Sequence, residues 1–318
     1  MRGRLARLAV LVALAAVSCD AEGLPTLMSP DDAPRRGSIS RREWHNLQYA
    51  GTGERQRLDV YLPDRGAGPF PVVVWIHGGS WERGDKSLAP YMAQARLVGA
   101  GYAVASINYR YSTEARHPAQ VSDAKAAVRY LRAHADALLL DSGRVAAWGG
   151  SAGGYLAAML ATTADVPALD DPSLGNAGQS ARVQALIAYY PLVDFTTLDA
   201  HMQSRGCGFF DGVAWSAAGS SASRMLGFTV ADHPDSAAAA SPLAYVTPDD
   251  PPTFVLHGAA DCTVPLPQGL QLYEAMSAVL DPGRVKLRVI PDAGHGAPQF
   301  DMPDVAADVA AFLSTHLR

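Results

Sequence analysis

The chain has 318 residues, of which 48% are hydrophobic and 18% are charged, and its formal net charge is −5. This length and composition suit one large α/β domain with a substantial core. The basic residues are scattered, without the run of arginine and lysine that is typical of nucleic-acid binding, and no apolar stretch after the first twenty residues is long enough to cross a membrane.

The N-terminal segment has the layout of a signal peptide, because arginines precede a short apolar run at residues 8–17. We predict that residues 1–18 are this signal and that the bacterial protein is exported to the periplasm, the extracellular space or a membrane. Small residues before Cys19 resemble a bacterial lipobox. Two alternatives therefore stay open: Cys19 is lipidated and anchors the protein to a membrane, or the chain is simply secreted after cleavage near Ser18 or Ala21.

Residues 19–43 are rich in proline, glycine, serine and charged side chains. This composition predicts a flexible tether rather than folded structure. We therefore expect the folded domain to occupy residues 44–318.

Within that domain, predicted strands alternate with predicted helices. The first two strands are joined by a glycine-containing turn and predict an antiparallel hairpin. The later alternation predicts an α/β protein with a mostly parallel central sheet and helices on both faces. The strands are expected at residues 44–49, 56–61, 71–76, 102–109, 144–148, 183–190, 253–256 and 285–290, and the helices at residues 88–99, 121–135, 155–161, 268–280 and 305–317.

Residues 194–242 interrupt this alternation. They contain no clear strand, are rich in small residues, and include Phe209, Phe210, Trp215 and Phe228. Because several aromatic side chains need burial, we predict a small cap over the carboxyl edge of the sheet, where α/β proteins bind ligands. The alternative is a long irregular surface excursion.

The sequence GGSAGG at residues 149–154 lies between a predicted strand and a predicted helix. In this context a G-x-S-x-G motif predicts a nucleophile elbow, a sharp turn that exposes the serine at the N-terminus of a helix. Ser151 is therefore the candidate nucleophile. A serine hydroxyl needs an imidazole to take its proton and an acid to orient that imidazole.

The acid and the base should follow the serine in that order. His295 is the candidate base because it lies in a glycine-containing loop directly after the last predicted strand. Asp261 is the candidate acid because it lies in the loop after the preceding strand, and Asp292 and Asp194 are the alternatives. We interpret His257, which ends a strand, as a packing residue.

A glycine-rich loop after the third strand reads His77-Gly78-Gly79-Ser80-Trp81. Glycines allow successive backbone N–H groups to point at one position, so this loop predicts an oxyanion hole. We expect its donors to be the N–H groups of Gly79 and Ser80, together with that of Ala152 after the nucleophile. Gly78 would permit the bend and His77 would hold the loop by hydrogen bonds.

Trp81 and Tyr155 adjoin these catalytic segments in the sequence. They are candidates for lining the substrate pocket, and packing is the alternative role. The cysteines have neither the spacing of metal ligands nor a nearby base, so we expect no metal. An even pair of cysteines remains after Cys19 is set aside, and in an oxidising compartment it predicts a Cys207–Cys262 disulfide, with two separate thiols as the alternative.

Together these motifs resemble the α/β-hydrolase superfamily. Within it, the chain is similar to bacterial esterases and lipases related to hormone-sensitive lipase and to the feruloyl-esterase-like BD-FAE group. Ser80 stands where HGGG lipases have a third glycine, which favours the HGGxW group that also contains kynurenine formamidases. The resemblance covers residues 44–318 and is carried by HGGSW at 77–81, GYAVASINYRYS at 101–112, HPAQVSDAKAAVRYLRAHA at 117–135, GGSAGGYLAAML at 149–160 and HGAADCTVP at 257–265.

The resemblance implies an α/β-hydrolase fold and a Ser–His–Asp carboxylesterase that needs neither metal nor organic cofactor. We expect short-chain or aryl esters as substrates, either small molecules or esters attached to a polysaccharide, and leave the oligomeric state open. Two alternatives remain: a formamidase or arylamide hydrolase with the same catalytic residues, and a non-catalytic surface lipoprotein on a hydrolase scaffold.

Overall fold

The computed structural model describes residues 42–51, 53–88, 93–209 and 212–317. The predicted signal peptide, Cys19 and most of the predicted tether lie outside these ranges. No helix among the described residues combines the length and the apolar character needed to span a bilayer.

Eight strands make up one sheet in the described part of the chain. They are β1 (Glu43–Gln48), β2 (Arg57–Tyr61), β3 (Phe70–Ile76), β4 (Ala103–Ile107), β5 (Leu140–Gly150), β6 (Ala185–Tyr189), β7 (Thr253–Gly258) and β8 (Val285–Ile290). Their order is β1-β2-β4-β3-β5-β6-β7-β8. β2 pairs antiparallel with β1 and β4, and all other pairs are parallel, which confirms the predicted mostly parallel sheet.

Most strand boundaries lie within one or two residues of the prediction, and the start of β5 lies four residues earlier than predicted. β1 begins at Glu43, which pairs with Tyr61, so this residue belongs to the sheet and not to the tether. β5 begins at Leu140, which pairs with Phe70 beyond a shift in register. The polar residues between these pairs hid the early part of β5, because a strand is recognised from its apolar pattern.

The α-helices are α1 (Ala93–Gly99), α2 (Ala119–Ala133), α3 (Ala152–Thr162), α4 (Leu198–Ser204), α5 (Ser221–Leu226), α6 (Pro234–Ala239), α7 (Pro267–Val279) and α8 (Pro303–His316). Side chains of α2, α3 and α7 pack in one core cluster, and side chains of α1 and α8 pack in another. Helices thus cover both faces of the sheet. This double cover explains why β4 and most of β3 are buried apolar runs.

Helix α3 directly follows β5, and all of its residues are buried. Its C-terminal end meets Lys125 of α2, which is fully buried and donates a hydrogen bond from Nζ to the carbonyl of Thr163 at 2.6 Å. Burial lowers the pKa of Lys125 to about 8. The carbonyl groups at the end of a helix carry partial negative charge, so this side chain complements the end of α3.

The segment that we call the cap, residues 194–242, forms α4, α5 and α6 and contains no strand among its described residues, in agreement with the sequence pattern. Trp215 is only 3% exposed and joins the core, and Phe228 packs partly buried against it. Phe209 is 39% exposed, and Phe210 lies outside the described residues. Trp215 and Phe228 therefore anchor the cap to the core of the domain.

Candidate active site

Ser151 occupies the sharp turn between β5 and α3. Its backbone has φ 58° and ψ −123°, a conformation that is costly for a residue with a side chain. A Cβ atom on Gly149 would lie 2.2 Å from the carbonyl oxygen of Gly153, and one on Gly153 would lie 2.1 Å from that of Ile76. The small residues around the serine therefore allow the strand and the helix to approach closely, as the elbow motif predicts.

His295 and Asp261 meet Ser151 at the carboxyl edge of the sheet. His295 Nε2 lies 2.9 Å from Ser151 Oγ, and His295 Nδ1 lies 2.7 Å from Asp261 Oδ2. The imidazole is 20% exposed and the carboxylate is fully buried. These distances form a continuous chain of hydrogen bonds from a partly exposed hydroxyl to a buried carboxylate.

The backbone of its own loop holds the Asp261 carboxylate. Oδ1 accepts hydrogen bonds from the N–H groups of Thr263 at 2.8 Å and Val264 at 2.9 Å. These bonds leave Oδ2 directed at His295. The two alternative acids are placed elsewhere: Asp194 accepts bonds from Thr196 and Thr197 in its own turn, and Asp292 is exposed.

The glycine-rich loop lies against the serine. A Cβ atom on Gly78 would be 3.3 Å from that of Ser151. The next three residues, Gly79, Ser80 and Trp81, have φ values of 112°, 55° and 58°, so the loop curls tightly. In the described part of the chain, the N–H groups of Gly79, Ser80 and Ala152 have no acceptor. Unpaired donors beside a nucleophile suit the predicted oxyanion hole.

Two buried histidines support the two loops. His77 Nδ1 lies 2.7 Å from the carbonyl oxygen of Gly78, and its ring stacks on Tyr109. His257 Nε2 lies 2.8 Å from the carbonyl oxygen of Val264 and 3.6 Å from Asp261 Oδ2. Burial lowers the pKa of each histidine to about 4, so both are neutral at pH 7 and donate to their carbonyls.

Sequence reasoning missed two neighbours of the catalytic residues. The sequence predicts a packing role for His257, but its ring also approaches the carboxylate of Asp261. Tyr190 places its ring 4.7 Å from that of His295, edge to face, and has a φ of 35°. A positive φ is rare for an aromatic residue and marks this position as strained. The available signal is that Tyr190 is the last residue of the strand predicted at residues 183–190, at the carboxyl edge of the sheet.

The structure corrects the assignment of Trp81 and Tyr155 to the substrate pocket. Both side chains are fully buried, and their rings pack edge to face with centroids 5.4 Å apart. Phe195 packs against both rings, and the Tyr155 hydroxyl donates to the carbonyl of Ala240 at 2.9 Å. They offer no surface to a substrate, so the alternative role of packing describes them.

The cap is joined to both catalytic loops. Cys207, just after α4, forms a disulfide with Cys262, the residue after Asp261, which confirms the predicted pairing. Arg224 of α5 forms an ion pair with Glu82, which lies two residues after Ser80. The described residues contain no cluster of three or more histidine, cysteine or acidic side chains arranged to hold a metal ion.

The sheet topology, the strand–elbow–helix turn and the grouping of Ser151, His295 and Asp261 at the carboxyl edge define an α/β-hydrolase. The model of the BD-FAE family matches residues 58–276, and the chain belongs to this family. Among curated proteins, it is 30% identical to esterase LipC of Mycobacterium tuberculosis over 294 residues, which cover 88% of this chain and 69% of LipC.

Two solved structures are also similar. A truncated carbohydrate esterase from gut microbiota has a TM-score of 0.78 and 28% identity, and the match covers 88% of this chain and 98% of that one. A bifunctional GH43-CE protein of Bacteroides eggerthii has a TM-score of 0.78 and 30% identity, with 87% of this chain and 38% of that one covered. With the curated relatives, these matches identify the protein as a carboxylesterase.

Proposed function

We propose that the protein hydrolyses carboxylic esters through the triad Ser151, His295 and Asp261 and a covalent acyl-enzyme. The observation that carries this proposal is the chain of contacts at 2.9 and 2.7 Å that links the serine hydroxyl to the buried carboxylate. Each member has the surroundings its role needs: the serine is accessible, the imidazole lies between, and the acid is buried and anchored.

In the acylation step, Ser151 Oγ attacks the ester carbonyl carbon while His295 Nε2 takes the hydroxyl proton. The carbonyl oxygen becomes an oxyanion, and the N–H groups of Gly79, Ser80 and Ala152 stabilise it. Asp261 holds the imidazole in the tautomer that accepts at Nε2 and stabilises the resulting cation. The tetrahedral intermediate then collapses, and the leaving alcohol takes the proton from Nε2.

In the deacylation step, a water molecule attacks the acyl-enzyme and gives its proton to His295 Nε2. The second tetrahedral intermediate uses the same N–H donors. Its collapse returns the proton to Ser151 Oγ and releases the carboxylic acid. The cycle needs no group beyond the residues of the site and water.

We propose short-chain or aryl esters as substrates, including esters carried by a carbohydrate. The solved structures that are titled carbohydrate esterases support the carbohydrate-linked class. A formamidase would use the same triad, but the similar proteins named above are esterases. The close contacts of Ser151, His295 and Asp261 disfavour a non-catalytic surface protein.

Replacement of Ser151 by alanine tests the mechanism. With p-nitrophenyl acetate and butyrate, kcat should fall by roughly four orders of magnitude or more, because the triad acts as a unit. A fluorophosphonate probe should label the wild type and not the variant. Full activity in Ser151→Ala would show that another nucleophile operates.

We also propose that the protein is exported, either as a secreted protein or with a lipid on Cys19. The arginine-led apolar segment at residues 1–18 supports export, and a Cys207–Cys262 disulfide fits an oxidising compartment. The mass of the mature N-terminal peptide distinguishes a lipidated Cys19 from plain cleavage, and an intact Met1 would contradict both.

A further inference from the structure

Two neighbouring cavities share the Glu82–Arg224 ion pair as part of their lining. The first has a volume of about 230 Å³. It is bordered by Ser80 of the glycine-rich loop, by Arg83 just after that loop, and by Ser220 of the cap. The second has a volume of about 530 Å³ and is bordered by Ser112 and Arg116. Glu82 and Arg224 border both cavities. We call the two cavities together the arginine groove.

Both carboxylates of the groove are already paired. Glu82 receives hydrogen bonds from Arg224 Nε at 2.5 Å and from Arg224 Nη2 at 2.8 Å. These bonds hold the pKa of Glu82 below its usual range. Glu114 accepts a bond from the N–H of Tyr111 at 2.8 Å and lies 3.4 Å from Arg55 Nε.

Unlike Arg224 and Arg55, neither Arg83 nor Arg116 forms an ion pair within the described ranges, although the charge of Arg83 contributes to the lowered pKa of Glu82. The stem of each lies over a glycine: a Cβ atom on Gly79 would be 3.0 Å from Arg83 Cγ, and one on Gly227 would be 2.5 Å from Arg116 Cδ. At Gly227 the absence of a side chain leaves room for the Arg116 stem, whereas a Cβ atom on Gly79 would first meet the carbonyl oxygen of Arg83, at 2.1 Å. Both guanidinium groups are left free to bind a ligand.

The groove is therefore cationic on a protein whose formal net charge is −5. Its arginines outnumber its two carboxylates, and both carboxylates are neutralised by partners. A cleft with an excess of one sign of charge concentrates ligands of the opposite sign. Serine hydroxyl groups between the arginines add neutral hydrogen-bonding partners, so the groove suits a hydrophilic anion rather than an apolar acyl chain.

We propose that the arginine groove binds a carboxylate on the ester substrate, so that the enzyme prefers esters carrying a second, ionised acid group. This inference rests on the proposed function, because it takes Ser80 as a donor of the oxyanion hole. Because Ser80 and Arg83 border the same cavity, we assign Arg83 as the partner of a carboxylate close to the reacting carbonyl, and Arg116, in the adjoining cavity, as the partner of one carried on a longer group. A guanidinium group matches a carboxylate in a planar pair of hydrogen bonds.

Matched pairs of esters test this proposal and show on which side of the ester the carboxylate lies. For the acyl side, p-nitrophenyl hemisuccinate is compared with p-nitrophenyl butyrate. For the alcohol side, an acetylated methyl glucuronoside with a free carboxylate is compared with the corresponding acetylated methyl glucoside. In the wild type, kcat/KM should favour the charged member of at least one pair by about tenfold, as expected for hydrogen bonds between charged groups.

The variants Arg83→Gln and Arg116→Gln should reduce that preference, mainly by raising KM for the charged ester, and the double variant should abolish it. Increasing salt should weaken it in the wild type. Arg65→Gln is the matched control, because Arg65 is exposed and lines a separate cavity beside β1 and β2. Melting temperature and activity on p-nitrophenyl acetate should stay unchanged in Arg65→Gln, and the arginine variants are judged by the ratio of kcat/KM for the charged and neutral members of each pair.

Several outcomes would overturn the proposal. These are equal kcat/KM for the charged and neutral members of both pairs, or equal losses on both members in the arginine variants. The failure of the proposed function would look different: the wild type would then be inactive on p-nitrophenyl acetate, or Ser151→Ala would be as active as the wild type.

Discussion

The two loops on either side of Ser151 begin alike and end differently. Each starts with a His-Gly pair at the end of a parallel strand, His77-Gly78 after β3 and His257-Gly258 in β7. In each, a buried neutral histidine donates to a carbonyl of its own loop. Among the described residues, the remaining ring nitrogen of each histidine has no partner. The same support thus serves two different chemical tasks.

In the loop that carries Asp261, the carboxylate has all its hydrogen bonds in place. It is fully buried and takes two backbone N–H donors and His295. The glycine-rich loop instead leaves donors unpaired, because the N–H groups of Gly79 and Ser80 have no acceptor in the described structure. A loop that orients a residue should have its hydrogen bonds formed before the substrate binds. A loop that stabilises the transition state must instead keep N–H donors free for it.

The links from the two loops to the cap also differ. Cys262 is joined to Cys207 of the cap by a covalent bond. Glu82 is joined to Arg224 of the cap by an ion pair whose side chains are 25% and 49% exposed. Removal of these links, and of the acid itself, measures how much each loop contributes to catalysis and to the stability of the fold.

The largest effect is expected from Asp261→Asn. The amide can no longer hold His295 in the tautomer that accepts a proton from Ser151, and kcat should fall by about 10⁴-fold. Steady-state kinetics with p-nitrophenyl butyrate measure this loss. Asp292→Asn is the matched control, because Asp292 is an exposed acid three residues before His295, and its activity should stay near that of the wild type. Equal losses in both variants would contradict the assignment of the acid.

Removal of the disulfide should lower stability more than activity. With both cysteines replaced by serine, the unfolded chain loses a cross-link between residues 55 positions apart, and the free energy of unfolding should drop by about 4 kcal/mol at most. Activity on p-nitrophenyl acetate should persist, because the N–H groups of Thr263 and Val264 still hold Asp261. Urea unfolding measures the drop.

Addition of a reductant is the control for this experiment. It should destabilise the wild type and leave the double variant unchanged. A loss of kcat as large as that of Asp261→Asn would instead show that the covalent link is needed to place the acid.

The smallest effect is expected from Glu82→Gln, which breaks the ion pair with Arg224. Partly exposed pairs contribute little, so the free energy of unfolding should fall by about 0.5–1 kcal/mol at pH 7. Because Arg224 lowers the pKa of Glu82 in the folded protein, this contribution is complete above the ordinary glutamate pKa of 4.5 and is lost as pH falls below it.

The difference between wild type and Glu82→Gln should accordingly shrink in urea unfolding carried out below pH 4.5. Glu54→Gln is the control, since Glu54 is exposed and has no ion-pair partner in the described structure. A difference that grows on acidification would contradict a pair that depends on ionised Glu82.

The sequence predicts the sheet, the elbow and the three central residues for one physical reason. Parallel strands buried on both faces leave continuous apolar runs, and their carboxyl ends meet at one edge, so Ser151, Asp261 and His295 could be expected close together. Contacts that depend on side-chain direction could not be predicted. Tyr155 lies four residues after the nucleophile, but α3 is buried and turns this ring into the core.

The same limit explains Tyr190 and the arginine groove. Tyr190 meets His295 across more than one hundred residues of sequence, and no local pattern records that contact. No motif in the sequence includes Arg83 or Arg116, and both are exposed in the structure. Their shared surface depends on the position of α5, which brings Arg224 to Glu82 between them.

The buried end of α3 has a consequence for how this enzyme can be altered. The helix has 11 residues and is therefore about 16 Å long, with Ser151 at its start and Thr163 held by Lys125 just past its end. Because α3 is buried along its whole length, its packing fixes the position of the turn that carries Ser151. The position of the nucleophile therefore depends on contacts remote from the substrate, such as those of α2 with the last turn of α3.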